Sequence, residues 1–272
     1  MKAEFGLPEW LSLVFFLFFC GLAWWRPLES QRRLKITALG LLGIALLFIP
    51  FAIDADRLTV QRVLPLALIP LAYWQTGQFD APVHQRLQKA LSASDDRILR
   101  ALKDHGITML RLARLDVVFE LAYLFVYPMV PSGLAVLYFA GAFGQAHEFW
   151  SVVLPSAYFC YATLPFVRTL PPRTLEQPNG PASNRSGMRR FNLGVVRLIT
   201  HESNTFPSGH AAAAVAVALV LIRWIPLVGI LYALLALGIM AGAFVGRYHY
   251  AADLLVGGAI AALTFAIVVL SH

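Results

Sequence analysis

The stretch from Ser208 to Tyr250 reads SGHAAAAVAVALVLIRWIPLVGILYALLALGIMAGAFVGRYHY, and its pattern decides the fold. Two apolar runs, Ser208 to Ile222 and Leu227 to Val245, are separated only by Arg223-Trp224-Ile225-Pro226. Each run approaches the roughly 20 residues a helix needs to cross a bilayer. A connection this short makes the two helices antiparallel, so their outer ends lie on one membrane face. His210, at the start of the first helix, therefore shares a depth with Gly246-Arg247-Tyr248-His249-Tyr250 at the end of the second. Arg168 closes another apolar run just before the loop that leads into Ser208, and it falls at the same end.

Working outward, similar runs fill the chain. Trp10 to Trp25 carries tryptophans at both ends, as interfacial anchors. Acidic Glu4 and Glu9 and the lack of a small-residue cleavage site argue for an anchor and against a cleavable signal. Ile36 to Ile53 follows, then Leu58 to Trp74, which Arg62, Pro65 and Pro70 interrupt. Leu115 to Phe143 reads as one tilted helix, irregular near Pro128 and Pro131, and Phe149 to Val167 and Leu254 to Leu270 complete the set. The expectation is an all-α polytopic bundle of about eight spans. Residues 1–57 form an N-terminal anchor and residues 58–272 a catalytic membrane domain. Within the latter, residues 76–114 interleave Arg86, Lys89, Arg97, Arg100, Lys103, Arg111 and Arg114 with leucines at helical spacing, as amphipathic helices on a membrane surface do. The segment from Arg168 to Pro207, rich in Arg, Pro and Asn, is an exposed loop.

Composition agrees. Of 272 residues, 58% are hydrophobic and only 14% charged, against about 45–50% apolar in soluble domains. Disorder is excluded by the same numbers together with 12% aromatic residues. Cys20 and Cys160 both sit inside apolar runs, so no disulfide framework exists. The net charge of +7 resides between apolar runs and points to phosphate head groups, with no nucleic acid partner.

Three polar clusters thus meet at one end of the bundle. His249 and Asp253 are four residues apart and share a helix face, so the carboxylate can hold one ring nitrogen while the other faces substrate. Ser208-Gly209 precedes a helix whose free amides and dipole favour an anion, and His210 stands beside it. Arg168 and Arg173, around Pro171-Pro172, supply bidentate donors for phosphoryl oxygens. Two histidines, a carboxylate, arginines and a helix N-terminus suit metal-free phosphoryl transfer: one histidine attacks phosphorus and the other protonates the leaving oxygen. Abundant arginine disfavours a metal cation at the same place, and no cofactor is expected.

Asn204-Thr205-Phe206-Pro207-Ser208-Gly209-His210, with Tyr248-His249-Tyr250-Ala251-Ala252-Asp253 downstream and Pro171-Pro172-Arg173 upstream, resembles the phosphatidic acid phosphatase type 2 superfamily. More narrowly it is similar to the branch of inositol phosphorylceramide and sphingomyelin synthases. The resemblance implies a six-helix core and a phosphohistidine intermediate. It assigns the nucleophile to His249, its partner to Asp253, the general acid and acceptor activator to His210, and phosphate binding to Ser208 and Gly209. The phosphatases carry an arginine six residues before the nucleophile, where Ala243 stands here; Arg247, two residues before His249, is the substitute. The phosphatases' first motif is also unmatched, since Thr174 follows Arg173 and Phe166 stands seven before it, which fits the head-group transferase branch. The donor is a phospholipid or lipid phosphate, and the acceptor is water or a lipid hydroxyl. The alternative is an anion-binding transporter or scaffold without catalysis.

The other polar residues carry no assigned chemistry. Arg185, Arg189, Arg190 and Arg197 read as a solvated or head-group-facing surface, His201 and Glu202 as entrance residues, and Asp116 and Glu120 as a cap or as partners of loop arginines. His84, His105, His147 and His272 look peripheral. Arg26, Arg32, Arg33 and Lys35 place the active face in the cytoplasm by the positive-inside rule, whereas superfamily relatives mostly work on the other side of the cell membrane. A double crossing of 115–143 would reverse the parity, and the side stays open.

Overall fold

A computed structural model describes residues 5–52, 57–107, 115–175, 187–201 and 204–271. Arg111, Arg114, Arg185, Glu202 and His272 lie outside them. The chain is an all-helical membrane bundle. In order come α1 (Leu7–Trp25), α2 (Ser30–Ala52), α3 (Arg57–Val63), α4 (Pro65–Gly77) and α5 (Gln85–Asp104). Then follow α6 (Asp116–Leu124), α7 (Val126–Phe139), α8 (Ala146–Ala162), α9 (Pro172–Leu175), α10 (Gly187–Ile199), α11 (Gly209–Trp224), α12 (Pro226–Val245) and α13 (Ala251–Leu270).

The α11–α12 pair forms as its sequence dictates. The Ser208 hydroxyl caps α11 by accepting from the Ala211 N–H at 3.3 Å. Pro226 opens α12 at a position where its missing N–H costs nothing. Helices α8 and α11 form the centre. On α8, Phe149, Val152, Val153, Leu154, Ala157 and Cys160 are fully buried, as are Ala212, Ala214, Ala216, Val217 and Val220 on α11. Helices α1, α4, α11 and α13 all pack on α8, and α1 and α2 share its core. The outer helices turn large apolar side chains outward: Leu227, Leu231, Leu234 and Leu237 on α12, and Leu255, Leu263, Ile267 and Leu270 on α13. So much exposed hydrocarbon is stable only against lipid. Trp10 and Trp25 are exposed near the two ends of α1, in keeping with interfacial anchoring.

Among the described residues, four helices are long and apolar enough to span a membrane: α1, α2, α12 and α13. The bent pair α6–α7 makes a fifth if counted as one span. This is fewer than the eight runs suggest, and prolines explain part of the difference. Pro65 divides the third run into α3 and α4. Pro128 has no N–H to offer the Leu124 carbonyl, and the chain bends by 51° between α6 and α7. Helices α8 and α11, of 17 and 16 residues, are buried by their neighbours and do not have to match the hydrocarbon thickness themselves.

At the His210 end, residues 168–169 and 204–205 pair as two short antiparallel strands, Arg168 opposite Thr205. This ties the loop after α8 to the start of α11. Helix α5 lies across the same end. It is one helix of 20 residues, with Gln88, Leu91 and Asp95 buried at i, i+3 and i+7 and its Arg and Lys side chains outward.

Candidate active site

The end of α12 and the start of α13 are joined by Gly246 to Tyr250, and this turn carries His249. Arg247 within it adopts a left-handed backbone with φ of 57°. Non-glycine residues rarely hold that conformation unless their surroundings enforce it. The His249 ring is 5% exposed, and its Nδ1 lies 3.3 Å from Asp253 Oδ2, which is fully buried one turn along α13. His249 Nε2 lies 3.2 Å from Nδ1 of His210 at the start of α11, with the rings nearly perpendicular at 84°. An ionised carboxylate only accepts, so Asp253 fixes a proton on His249 Nδ1. Nε2 then carries a lone pair and accepts from the His210 Nδ1–H.

Both imidazoles line a cavity of about 330 Å³. Its polar lining comes from His210, His249, Gly209, Arg173 and the tyrosines 73, 123, 127, 161 and 248. Its apolar lining comes from Leu66, Ile69 and Pro70 of α4, Val126, Val130 and Pro131 of α7, and Ala213 of α11. Helix α10 covers it with Val196 and Ile199, and His201 follows. The His201 N–H donates to the Tyr73 hydroxyl at 3.0 Å, and its ring rests where any Cβ on Gly77 would collide with it. Burial lowers the His201 pKa, favouring the neutral ring.

Arg173 is the one Lys or Arg on the cavity wall among the described residues. Its guanidinium lies over the Tyr248 ring, 5.0 Å from the centroid, and Nη1 donates weakly to the Tyr248 carbonyl at 3.4 Å. No carboxylate pairs with it among the described residues. Burial lowers its pKa from the usual arginine value, but a guanidinium stays charged, so it is a cation stripped of water and in want of an anion.

The other expected phosphate ligands sit elsewhere. Arg168 turns from the cavity to Asp80, 3.3 Å away, a carboxylate that Arg32 also approaches at 3.6 Å. Arg247 points away too, and its Nη1 donates to Asp95 Oδ2 at 2.7 Å. Ser208 is fully buried, its hydroxyl occupied as the α11 cap and its N–H donated to the Asp253 carbonyl at 3.0 Å. Gly209 does reach the cavity, packed so closely on Tyr161 that a Cβ would come within 2.6 Å of the ring. The expectation of a solvated Arg189 needs correction. Arg190 and Arg197 are exposed, but Arg189 is buried and donates to Glu120 Oε1 at 2.9 Å. Glu120 also accepts from Asn192 Nδ2 and from the Tyr248 hydroxyl, both at 2.7 Å. Burial, then the Glu120 charge, raises the Tyr248 pKa far above the usual phenol, so it stays a donor.

Glu120 pairs with a loop arginine, Arg189, as its place in the sequence led one to expect, whereas Asn192, Asp95 and Gln88 are site-supporting residues to which the sequence reading gave no role. A carboxylate inside an apolar run, and a polar i, i+3, i+7 stripe on a basic helix, were the available signals.

Residues 151–272 match the model of the PAP2 superfamily. The matched segment runs from within α8 through α13 and contains Arg173, His210, His249 and Asp253. The match supports the superfamily resemblance and, with it, a phosphatase- or phosphotransferase-type enzyme. No curated protein and no solved structure matches the chain. Among the described residues, no three His, Cys, Asp or Glu side chains converge as a metal site requires.

Proposed function

We propose that this chain is a metal-independent lipid phosphatase or phospholipid head-group phosphotransferase of the cell membrane. The observation that carries the reading is the hydrogen-bonded line Asp253–His249–His210 ending in a cavity lined by one buried cation, Arg173, and by apolar residues of α4 and α7. Arg173 and the Gly209 end of α11 receive the phosphoryl oxygens. The acyl chains lie between α4 and α7, against Leu66, Ile69, Val126 and Val130. His249 Nε2 attacks phosphorus; its N–P bond forms as the P–O bond to the leaving group breaks, and His210 gives that oxygen its proton. Asp253 stabilises the imidazolium character that develops on His249. In the second half, His210 takes a proton from water or a lipid hydroxyl, whose oxygen displaces His249. At 3.2 Å the two rings leave no space for a phosphoryl group between them, so His210 swings into the adjoining cavity as substrate enters.

The loose first motif and Ala243 at the phosphatase arginine position favour the head-group transferase branch. The test is product release from phosphatidic acid and phosphatidylinositol in mixed micelles, with and without ceramide or diacylglycerol as acceptor, in the presence of a chelator. His249→Gln should lower turnover by about 10⁴-fold or more, the scale on which activated nucleophiles act. Release of inorganic phosphate without acceptor marks a phosphatase, and a need for the acceptor marks a transferase. Full activity of His249→Gln, or an inactive parent protein with every lipid, would remove the proposal.

A further inference from the structure

Helix α5 does more than lie on the membrane surface. Its buried stripe grips the two loops that frame the site. Gln88 Oε1 accepts from the Leu170 N–H at 2.8 Å and its Nε2 donates to the Leu170 carbonyl at 3.3 Å, so one amide clasps both polar groups of one residue. The same Nε2 reaches the Tyr250 hydroxyl. Two turns along, Asp95 is fully buried and divides its carboxylate. Oδ2 accepts from Arg247 Nη1 at 2.7 Å, and Oδ1 accepts from the Ala251 N–H at 3.0 Å.

Those two contacts bracket His249. Ala251 opens α13, whose own N-cap residue, Tyr250, makes no side-chain cap, so Asp95 satisfies one of the helix's orphan amides from another element. Arg247 is the residue with the left-handed backbone, and its carbonyl accepts from the Arg173 N–H at 3.1 Å. One carboxylate therefore holds Arg247 and Ala251, two residues to either side of His249, and the Arg247 carbonyl in turn seats Arg173.

We propose that Asp95 is a positioning residue for His249, and that Arg247 serves as its counterion in that task and does not bind substrate phosphate. The proposal rests on the reaction assigned above to His249. An uncompensated charge buried with its partner removed is costly, whereas removing both charges together is tolerated far better. Loss of Asp95 should therefore loosen the turn and slow the chemical step while leaving substrate binding by Arg173 and the apolar groove largely intact.

The experiment uses the purified full chain, with phosphatidic acid in mixed micelles as substrate probe and diethyl pyrocarbonate as a probe of the His249 ring, read by peptide mass spectrometry. Asp95→Asn should lower kcat by about 10²-fold, the cost of roughly 1 Å of misplacement, and leave KM within about threefold. Acylation of His249 should quicken several-fold. The paired variant D95N/R247Q, which keeps a hydrogen bond without charge, should recover part of the lost kcat. It also serves as the folded comparison if Asp95→Asn alone does not fold. A folded Asp95→Asn with the parental kcat overturns the proposal, as does a loss carried by KM or strictly additive losses in the pair. If the parent protein is inactive on phosphatidic acid, phosphatidylinositol with ceramide or diacylglycerol as acceptor replaces it; if it is inactive on both, the reaction assigned above falls, and the acylation rate judges positioning alone: an unchanged rate in Asp95→Asn overturns it.

Discussion

Gly257→Ala tests the geometry of the site without touching any group assigned to the chemistry. Gly257 lies on α13 one turn beyond Asp253, where that helix crosses the N-terminus of α11. A Cβ at 257 would stand 2.4 Å from the Ser208 carbonyl oxygen and 3.2 Å from its carbon. Ordinary contact begins near 3.4 Å, so the helices must part by roughly 1 Å. Backbone is the obstacle, and it cannot turn aside, because the Ser208 carbonyl accepts from the Ala212 N–H at 3.1 Å and its N–H donates to the Asp253 carbonyl at 3.0 Å. The displacement therefore draws His210, two residues from Ser208, away from His249 and Asp253. Overpacking of this kind costs about 1–3 kcal/mol of stability. A misplacement of that size costs about 10²-fold in rate, or about 2.7 kcal/mol of barrier. The assay is phosphate or head-group release from mixed micelles, with unfolding followed in parallel. The neighbouring Gly258→Ala is the control, because its Cβ would meet only Val215 at 3.6 Å and Met240 at 3.9 Å. Gly258→Ala should match the parent in kcat. A folded Gly257→Ala with kcat within twofold of the parent would refute the claim that α11 and α13 register the two histidines.

Glu120→Gln should destabilise the protein by about 3–5 kcal/mol, since it removes the counterion of buried Arg189 and leaves Asp116, 4.0 Å away, as the nearby carboxylate. Faster proteolysis within α10 would report the loss, and unchanged unfolding and proteolysis would count against the network. Acidification should loosen the segment around His201. A histidine whose folded pKa is depressed favours folding above its unfolded value of about 6.5, and that contribution is lost as pH falls through the lower folded value. Protection of the amides at residues 196–201, taken relative to their intrinsic exchange rates at each pH, should therefore fall between about pH 7 and pH 5, and His201→Gln should abolish the fall. A His201→Gln protein with the same pH response would assign it to another group.

The α11–α12 hairpin was readable because two apolar runs and a four-residue connection admit one topology, and from it followed the meeting of His210 with the 246–250 turn. Helical spacing likewise placed Asp253 beneath His249. Proline effects were legible only in part. Pro65 and Pro128 signalled irregularity, but whether a run bends or divides depends on which neighbours satisfy the freed backbone groups. The arginines were the least legible. Arg168, Arg173 and Arg247 look alike in sequence, each beside a motif residue. What separates them is a carboxylate from another part of the chain, Asp80 for the first and Asp95 for the last, and no local pattern announces such pairings. Arg189 and Glu120 are 69 residues apart and meet only because α10 folds back over α6.

That sorting of charge distinguishes the arginines more sharply than any motif does. Of the arginines next to the motif residues, three have a carboxylate partner: Arg168 has Asp80, Arg189 has Glu120, and Arg247 has Asp95. Arg173 has the face of Tyr248 instead. An aromatic face stabilises a cation by about 0.5–2 kcal/mol, well short of what a buried guanidinium loses with its hydration. The deficit falls on the wall that Arg173 shares with His249 and His210, so the missing negative charge belongs between them. Pairing also separates two uses of arginine: the cations with carboxylate partners hold the backbone in place, and Arg173, without one among the described residues, faces the cavity. A carboxylate placed beside Arg173 would remove that distinction, and the cavity would lose its anion while the fold stayed whole.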